Sequence, residues 1–261
     1  MMESHIPRKR FGQHFLHDQG ILRRIVETIS PQPGEHIVEI GPGEGALTLP
    51  LLRAAGRMTA IELDRDLIEP LREKARGVGE LDIISADVLT VDFTALASGS
   101  KLRIVGNLPY NISTPILFHC LEYAAVIHDM HFMLQKEVVD RMAAPPGSKT
   151  YGRLSVMLQL RCHVEPLLHV PPGAFRPPPK VDSAVVRLVP LPANALPDVD
   201  ETLLGNIVRA AFGQRRKTIS NSVSKFATAA NLVDAGIDPR ARAEQLAPQA
   251  FVNLAKIVSR Q

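Results

Sequence analysis

The sequence predicts an α/β protein: a mainly parallel sheet with helices on both faces, followed by a small all-helical C-terminal domain. Three observations carry this expectation. Short apolar runs alternate with helix-period runs over the first two thirds of the 261 residues. Glycine, proline or acidic residues stand at the end of one apolar run after another. Beyond the proline-rich stretch Pro190-Leu191-Pro192-Ala193-Asn194-Ala195-Leu196-Pro197 the pattern is helical to the end. The chain is therefore expected to divide into residues 1–190 and 191–261.

Asp18 is placed to cap the first helix, in which Ile21, Leu22, Ile25, Val26 and Ile29 share one face. Pro31, Pro33 and Gly34 end it. His36 to Ile40 reads as a buried strand opening onto Gly41-Pro42-Gly43-Glu44-Gly45, with a helix starting at Ala46. Arg57 to Glu62 is the second strand and Asp66 to Lys74 its helix. Leu81 to Ser85 is the third strand and ends at Ala86-Asp87-Val88. Leu102 to Gly106 is the fourth and ends at Asn107-Leu108-Pro109-Tyr110. The next helix carries Pro115 in its first turn, where a missing N–H costs nothing. Asp129 to Leu134, Cys162 to Val170 and Ser183 to Val189 complete the strands. In the second domain Leu203, Leu204, Ile207 and Val208 form one helical stripe, and Phe251, Leu254, Ile257 and Val258 another.

Composition excludes several function classes. Apolar residues make up 45% of the chain, enough for a sizeable core, and the net charge is +3. Cys120 and Cys162 lack CxxC spacing, so neither a disulfide framework nor a zinc site is expected, and both read as buried small hydrophobes. His128 and His131 read as structural, and no metal is implied. Met1 to Arg10 is basic without an apolar core, so no secretory leader is expected. No apolar run is long enough to span a bilayer, and the expected location is the cytoplasm.

In open α/β sheets ligands bind outside the carboxyl ends of the strands, where four notable segments lie. In Glu39-Ile40-Gly41-Pro42-Gly43-Glu44-Gly45 the glycines allow a sharp turn and close approach of a ligand. A dinucleotide fingerprint needs a third glycine where Ala46 stands, and Glu44 would repel a pyrophosphate. A cofactor with a sulfonium and no phosphate, S-adenosylmethionine (SAM), suits this acidic loop. Glu62, 21 residues after Gly41, is placed to accept from both ribose hydroxyls. Asp87 is placed to accept from the adenine amino group, with the Val88 backbone at the ring edge. With these segments the sheet resembles the Rossmann-like sheet of class I SAM methyltransferases.

Asn107-Leu108-Pro109-Tyr110 is the strongest local signal. The amino nitrogen of adenine is a poor nucleophile because its lone pair is delocalised into the ring. Two acceptors, the Asn107 side-chain oxygen and the Leu108 carbonyl, can hold its hydrogens and favour a pyramidal nitrogen. That is positioning with electrostatic stabilisation rather than proton abstraction. Pro109 stiffens the loop, and Tyr110 offers a flat face to an extruded base. Phe175, within Phe175-Arg176-Pro177-Pro178-Pro179-Lys180-Val181-Asp182-Ser183, is expected to clamp the other face; a plug at the core edge is its alternative.

Together these motifs resemble the KsgA/RsmA-type family of ribosomal RNA small-subunit adenine N6,N6-dimethyltransferases. The resemblance runs from Lys9-Arg10-Phe11-Gly12-Gln13-His14-Phe15-Leu16 through the Gly41 loop, Asn107 to Thr114, Gln135 to Arg141, Gly147 to Val156 and Phe175 to Ser183, and ends at Phe212 to Asn221. It implies that the N-terminal segment closes over SAM with His14 and Leu16 contributing. It further implies that Gly41, Gly43, Glu62, Asp87, Val88 and Asn107 complete that site, and that Asn107 to Tyr110 and Phe175 hold the base. Many relatives carry Asn where this chain has His14. The implied reaction places two methyls on each of two adjacent adenines in a hairpin near the 3′ end of 16S rRNA, within the small ribosomal subunit. A monomer is expected.

No acidic residue lies between Glu201 and Asp234, whereas Arg209, Arg215, Arg216, Lys217 and Lys225 do. This one-sign stretch, with Arg8-Lys9-Arg10, is a candidate phosphate footprint. The alternatives are the large-subunit rRNA enzyme of the macrolide-resistance type and a non-catalytic ribosome assembly factor on the same scaffold. Phe212 to Lys217 and Gly147 to Val156 favour the small-subunit enzyme, and the intact Asn107 segment argues against a purely binding role. A DNA adenine methyltransferase usually starts that segment with an acidic residue, and a nicotinamide dehydrogenase needs the missing glycine.

Overall fold

The computed structural model describes residues 14–214 and 216–260. Arg8-Lys9-Arg10, the motif residues before His14, and Arg215 lie outside the described residues. The chain forms two compact units, one running up to Val139 and including Glu165–Pro190, the other built from Asp140–Val164 and the residues from Leu191 onward.

In the first unit β1 (Phe15–Leu16) leads into α1 (Gln19–Ile29). Asp18 accepts from the Ile21 N–H at 2.9 Å, and Leu22, Ile25 and Ile29 are buried, as the helical spacing predicts. β2 (His36–Ile40), β3 (Arg57–Glu62), β4 (Glu80–Ser85) and β5 (Leu102–Asn107) follow. Between them lie α2 (Thr48–Ala55), α3 (Arg65–Ala75) and α4 (Phe93–Ala97). α2 starts two residues after the expected Ala46, because the Gly45 N–H closes a turn on the Pro42 carbonyl. α5 (Ser113–Glu122) precedes β6 (Ile127–Gln135), and β6 leads into α6 (Lys136–Met142), at which the chain enters the second unit. α7 (Arg153–Gln159) follows, and β7 (Cys162–Val170) returns the chain to the first unit. β8 (Phe175–Arg176) and β9 (Ser183–Pro190) end it.

The seven-stranded sheet has the order β4-β3-β2-β5-β6-β9-β7. Strands β4 to β6 pair in parallel and β9 pairs antiparallel with β6. The order reverses between β2 and β5, which opens a crevice beyond their carboxyl ends. Gly106 permits this close pairing, since a Cβ there would lie 2.6 Å from the Ile40 carbonyl oxygen. One face packs α1 and α2 through Leu22, Ile25, Leu51 and Leu52 against Ile37, Met58, Val105 and Met133. β1 and β8 form a separate two-stranded ladder, with Leu16 opposite Phe175.

Across the β5–β6–β9 ladder lies a buried ion cluster. The Arg103 guanidinium donates to both Asp129 carboxylate oxygens at 2.9 and 3.0 Å and to Glu35 at 2.7 Å. Arg187 approaches Asp129 at 3.4 Å. His131, 3% exposed, leaves both ring nitrogens without a hydrogen bond. Burial, and then the two arginines, depress it to about 4 against the pull of Asp129.

The second unit holds α7, α8 (Glu201–Phe212), α9 (Ile219–Ser222), α10 (Ala229–Asp234) and α11 (Pro248–Val258). The residues from Asp140 to the start of β7, expected with the sheet, cluster with these helices instead. Tyr151 is fully buried, donates to the Leu246 carbonyl at 2.8 Å and meets Phe212 edge-on. The Gly147 N–H donates to the Glu244 carbonyl at 2.7 Å. Arg209, Arg216, Lys217 and Lys225 are exposed. Cys120 and Cys162 are free and buried, and burial pushes both thiols up to about 12. Among the described residues no helix is long and apolar enough to cross a membrane, and no group of three His, Cys, Asp or Glu is placed to hold a metal.

Candidate active site

A cleft of about 360 Å³ opens at the strand-order reversal, lined from the ends of β2, β3, β4 and β5 and by the β1 segment. His14, Leu16, Gly41, Gly43, Glu62, Asp87, Val88, Asn107, Leu108, Pro109 and Tyr110 all line it. The backbone dictates two of the glycines. Gly41 and Gly43 sit at φ +67° and +57°, and a Cβ on Gly43 would lie 3.0 Å from the Phe15 ring. Lys74 steadies the loop by donating to the Glu44 carbonyl at 2.9 Å.

The cofactor end is acidic. Glu39, Glu44, Glu62, Asp64 and Asp87 line the cleft, and among the described residues no lysine or arginine does. Glu62 is 6% exposed and accepts from the Gly43 N–H at 3.2 Å and the Asp64 N–H at 2.8 Å. Burial raises its carboxyl above the usual range, against those two backbone bonds. Glu39 is 2% exposed, and its Oε2 has no hydrogen-bond partner. Burial first, and the neighbouring Glu62 charge after it, push the Glu39 carboxyl up to about 7. An orphaned buried carboxylate facing a cleft favours a cationic or hydrogen-donating ligand and disfavours a phosphate. Asp87 spends one oxygen as a cap, accepting from the Leu89 N–H at 3.0 Å.

The other end is neutral. Asn107 donates from Nδ2 to the His14 carbonyl at 2.9 Å. A carbonyl only accepts, so the amide nitrogen must face it and Oδ1 is left as an acceptor. Leu108 is 1% exposed, and its N–H is taken by the Met133 carbonyl at 3.2 Å. The His14 ring bonds the Pro177 carbonyl through Nδ1 at 2.7 Å and stacks on Tyr110, with centroids 5.8 Å apart and planes at 25°. The Tyr110 hydroxyl meets the Ser183 hydroxyl at 2.6 Å, and burial raises the phenol pKa. An acidic slot thus opens beside the Asn107 amide and the Tyr110 ring.

The family model of ribosomal RNA adenine dimethylases matches residues 4–260. The chain belongs to that family. Curated relatives match it along nearly the whole length. Ribosomal RNA small subunit methyltransferase A of Xanthomonas campestris pv. campestris (strain B100) is 60% identical over 250 residues, covering 96% of this chain and 95% of that protein. The protein of the same name from Xylella fastidiosa (strain Temecula1) is 62% identical, covering 95% and 94%. Among solved structures, a dimethyladenosine transferase from Plasmodium falciparum superposes with a TM-score of 0.77 at 25% identity, over 92% of this chain and 96% of that one. The 23S rRNA methyltransferase ErmE superposes at 0.72 with 29% identity, over 94% and 99%.

One expected member of the dimethylase site stands apart. Phe175 is 1% exposed and packs in the core with Leu16, Leu22 and Val170; it does not line the cleft. β8 pairs with β1, placing Phe175 opposite Leu16, and this burial favours the core-edge alternative over the clamp. Three contributors were not singled out from the sequence. Glu39 carried a signal, a lone charge inside the apolar strand His36–Ile40. Phe15 against Gly43, and Ser183 against Tyr110, are long-range contacts with no local signature.

Proposed function

We propose that this adenine dimethylase binds SAM in the acidic end of the cleft and methylates N6 of adenine in small-subunit rRNA. Its expected targets are two adjacent adenines in a hairpin near the 3′ end of 16S rRNA, each receiving two methyls. Glu62 and Asp87 would take the hydroxyl and amino hydrogens of the adenosyl group, Gly41 and Gly43 would let the backbone approach it, and His14 and Leu16 would cover it. The orphaned Glu39 oxygen suits the positive end of this ligand. SAM supplies an activated methyl on a sulfonium.

The chain's own residues prepare the nucleophile. Asn107 Oδ1 and the Leu108 carbonyl accept the two amino hydrogens of the base, which favours a pyramidal nitrogen and localises its lone pair. Tyr110 stacks the base and Pro109 holds the carbonyl direction. The proton released at each transfer is strongly acidic and leaves to solvent without a dedicated base. The observation that carries this reading is the Asn107 amide, turned by the His14 carbonyl so that an acceptor remains beside an acidic cleft.

The first unit would then act as the catalytic domain and the second as an rRNA grip, through exposed Arg209, Arg216, Lys217 and Lys225. A large-subunit target is less well supported, since the relatives at 60% identity carry a small-subunit name, whereas the 23S rRNA enzyme is 29% identical. The deciding experiment is transfer of labelled methyl from SAM to small-subunit particles lacking the modification, followed by nucleoside analysis. N6,N6-dimethyladenosine in 16S rRNA is the expected product. Transfer to large-subunit rRNA alone would move the target, and no transfer to either would leave a binding factor.

A further inference from the structure

Tyr110 sits in the loop after β5, and a loop side chain is free to swing unless something holds it. Its hydroxyl meets Ser183 Oγ at 2.6 Å. Ser183 is fully buried and is the first residue of β9, opposite Gln135 of β6 in the antiparallel ladder. The far end of the tether is therefore built into the sheet, which gives it little freedom. At the near end the Ser113 hydroxyl donates to the Tyr110 carbonyl at 3.2 Å. The His14 ring, itself held by the Pro177 carbonyl, covers one face of the phenol. With the imidazole stacked beside it and the hydroxyl tied, the tilt of the ring is restricted.

We infer that Ser183 is a positioning residue for methyl transfer, fixing through the Tyr110 hydroxyl the plane on which the target adenine stacks. The inference rests on the reading of Tyr110 as the stacking surface. The base enters this slot as an amine, returns or stays as a monomethylated amine, and must present the same nitrogen again. A ring with the wrong tilt costs more at the second, bulkier presentation than at the first. Loosening the tether should therefore alter which product accumulates as well as the rate.

The test compares Tyr110→Phe, Ser183→Ala, their double variant and Tyr110→Ala on unmodified small-subunit particles. SAM stoichiometry and affinity are measured by calorimetry, so that loss of folded enzyme is counted separately. Tyr110→Phe and Ser183→Ala are each expected to lower turnover about fivefold, the worth of one neutral hydrogen bond. Both should raise the ratio of N6-monomethyladenosine to dimethyladenosine at equal total transfer, with one SAM still bound per chain. The double variant should be no worse than either single. Wild-type product ratios in Tyr110→Phe, or additive losses in the double variant, would overturn the inference. Because Tyr110→Phe keeps the ring, it decides the matter even if Ser183→Ala fails to fold. If Tyr110→Ala itself methylates normally, the stacking role of Tyr110 falls, and the tether with it.

Discussion

Asn107 is held from the far end of the chain: its Nδ2 donates to the backbone carbonyl of His14 at 2.9 Å. A side-chain amide can otherwise flip and exchange donor for acceptor. Here the carbonyl fixes the choice, and the acceptor proposed to bind the base is set by a residue 93 positions away. The side chain of His14 varies the family pattern, but its backbone is what Asn107 uses.

Asn107→Ala should keep one SAM bound per chain and lower turnover by roughly two to three orders of magnitude, the usual cost of removing a preorganised polar contact from a reacting group. Calorimetry with SAM and labelled-methyl transfer read the two effects separately. Turnover at the wild-type rate would remove the acceptor role.

On the proposed reading of the cleft, Glu39 should make SAM affinity depend on pH. Its carboxyl is raised to about 7, so below that pH a proton must leave before the charge can face a cation. Affinity should rise with pH up to about 7, at most about tenfold per unit, and level off above it. Glu39→Gln should bind more weakly at pH 8 and lose most of the slope. An unchanged slope in the variant would place the titrating group elsewhere.

Phe175→Ala should cost about 3–5 kcal/mol of stability, as expected for truncating a buried aromatic, read by urea unfolding of the first unit. A base clamp would behave differently, leaving stability intact and raising the RNA KM. The two outcomes separate the core position seen here from the role its motif suggests.

His131 ties stability to acid. Its pKa is about 4 in the folded protein and near 6.5 when unfolded, so the unfolded chain takes up the proton first as pH falls. The contribution is fully present above pH 6.5 and drains away toward pH 4, up to about 3 kcal/mol. Asp129, whose pKa is lowered by Arg103 and its neighbours against the cost of burial, works in the same direction at still lower pH. Glu39, with a raised pKa, works oppositely between about 4.5 and 7. The difference between wild type and His131→Leu isolates the histidine: the variant should lose less stability between pH 6.5 and 4.5. Parallel curves would show that His131 does not titrate in that window.

Most strands of the central sheet were legible as short apolar runs stopped by glycine, proline or an acidic residue; β7, expected at Cys162 to Val170, has those bounds although Glu165 and Pro166 lie inside it. Gly41, Glu62, Asp87 and Asn107 were legible for the same reason, since a parallel sheet brings its strand ends together. The pairing of β1 with β8 was not, because two-residue strands are defined by a partner about 160 residues away rather than by periodicity. Phe175 left two readings open because an aromatic in a proline-rich loop looks the same from the sequence whether the backbone turns it in or out. The segment before β7 was placed with the sheet because the proline-rich stretch at 190–197 marked the boundary, whereas Tyr151 against Phe212 and the Leu246 carbonyl hold it among the helices.

The charge pattern of the cleft has a metabolic consequence. ATP and the dinucleotides carry the same adenosine as SAM and are abundant in any cell, so shape alone would let them compete. Five carboxylates with no lysine or arginine among the described lining residues turn the polyphosphate tail into the feature that is refused. On the proposed reading of this cleft as the SAM site, the supply of methyl donor is thereby insulated from the energy charge of the cell.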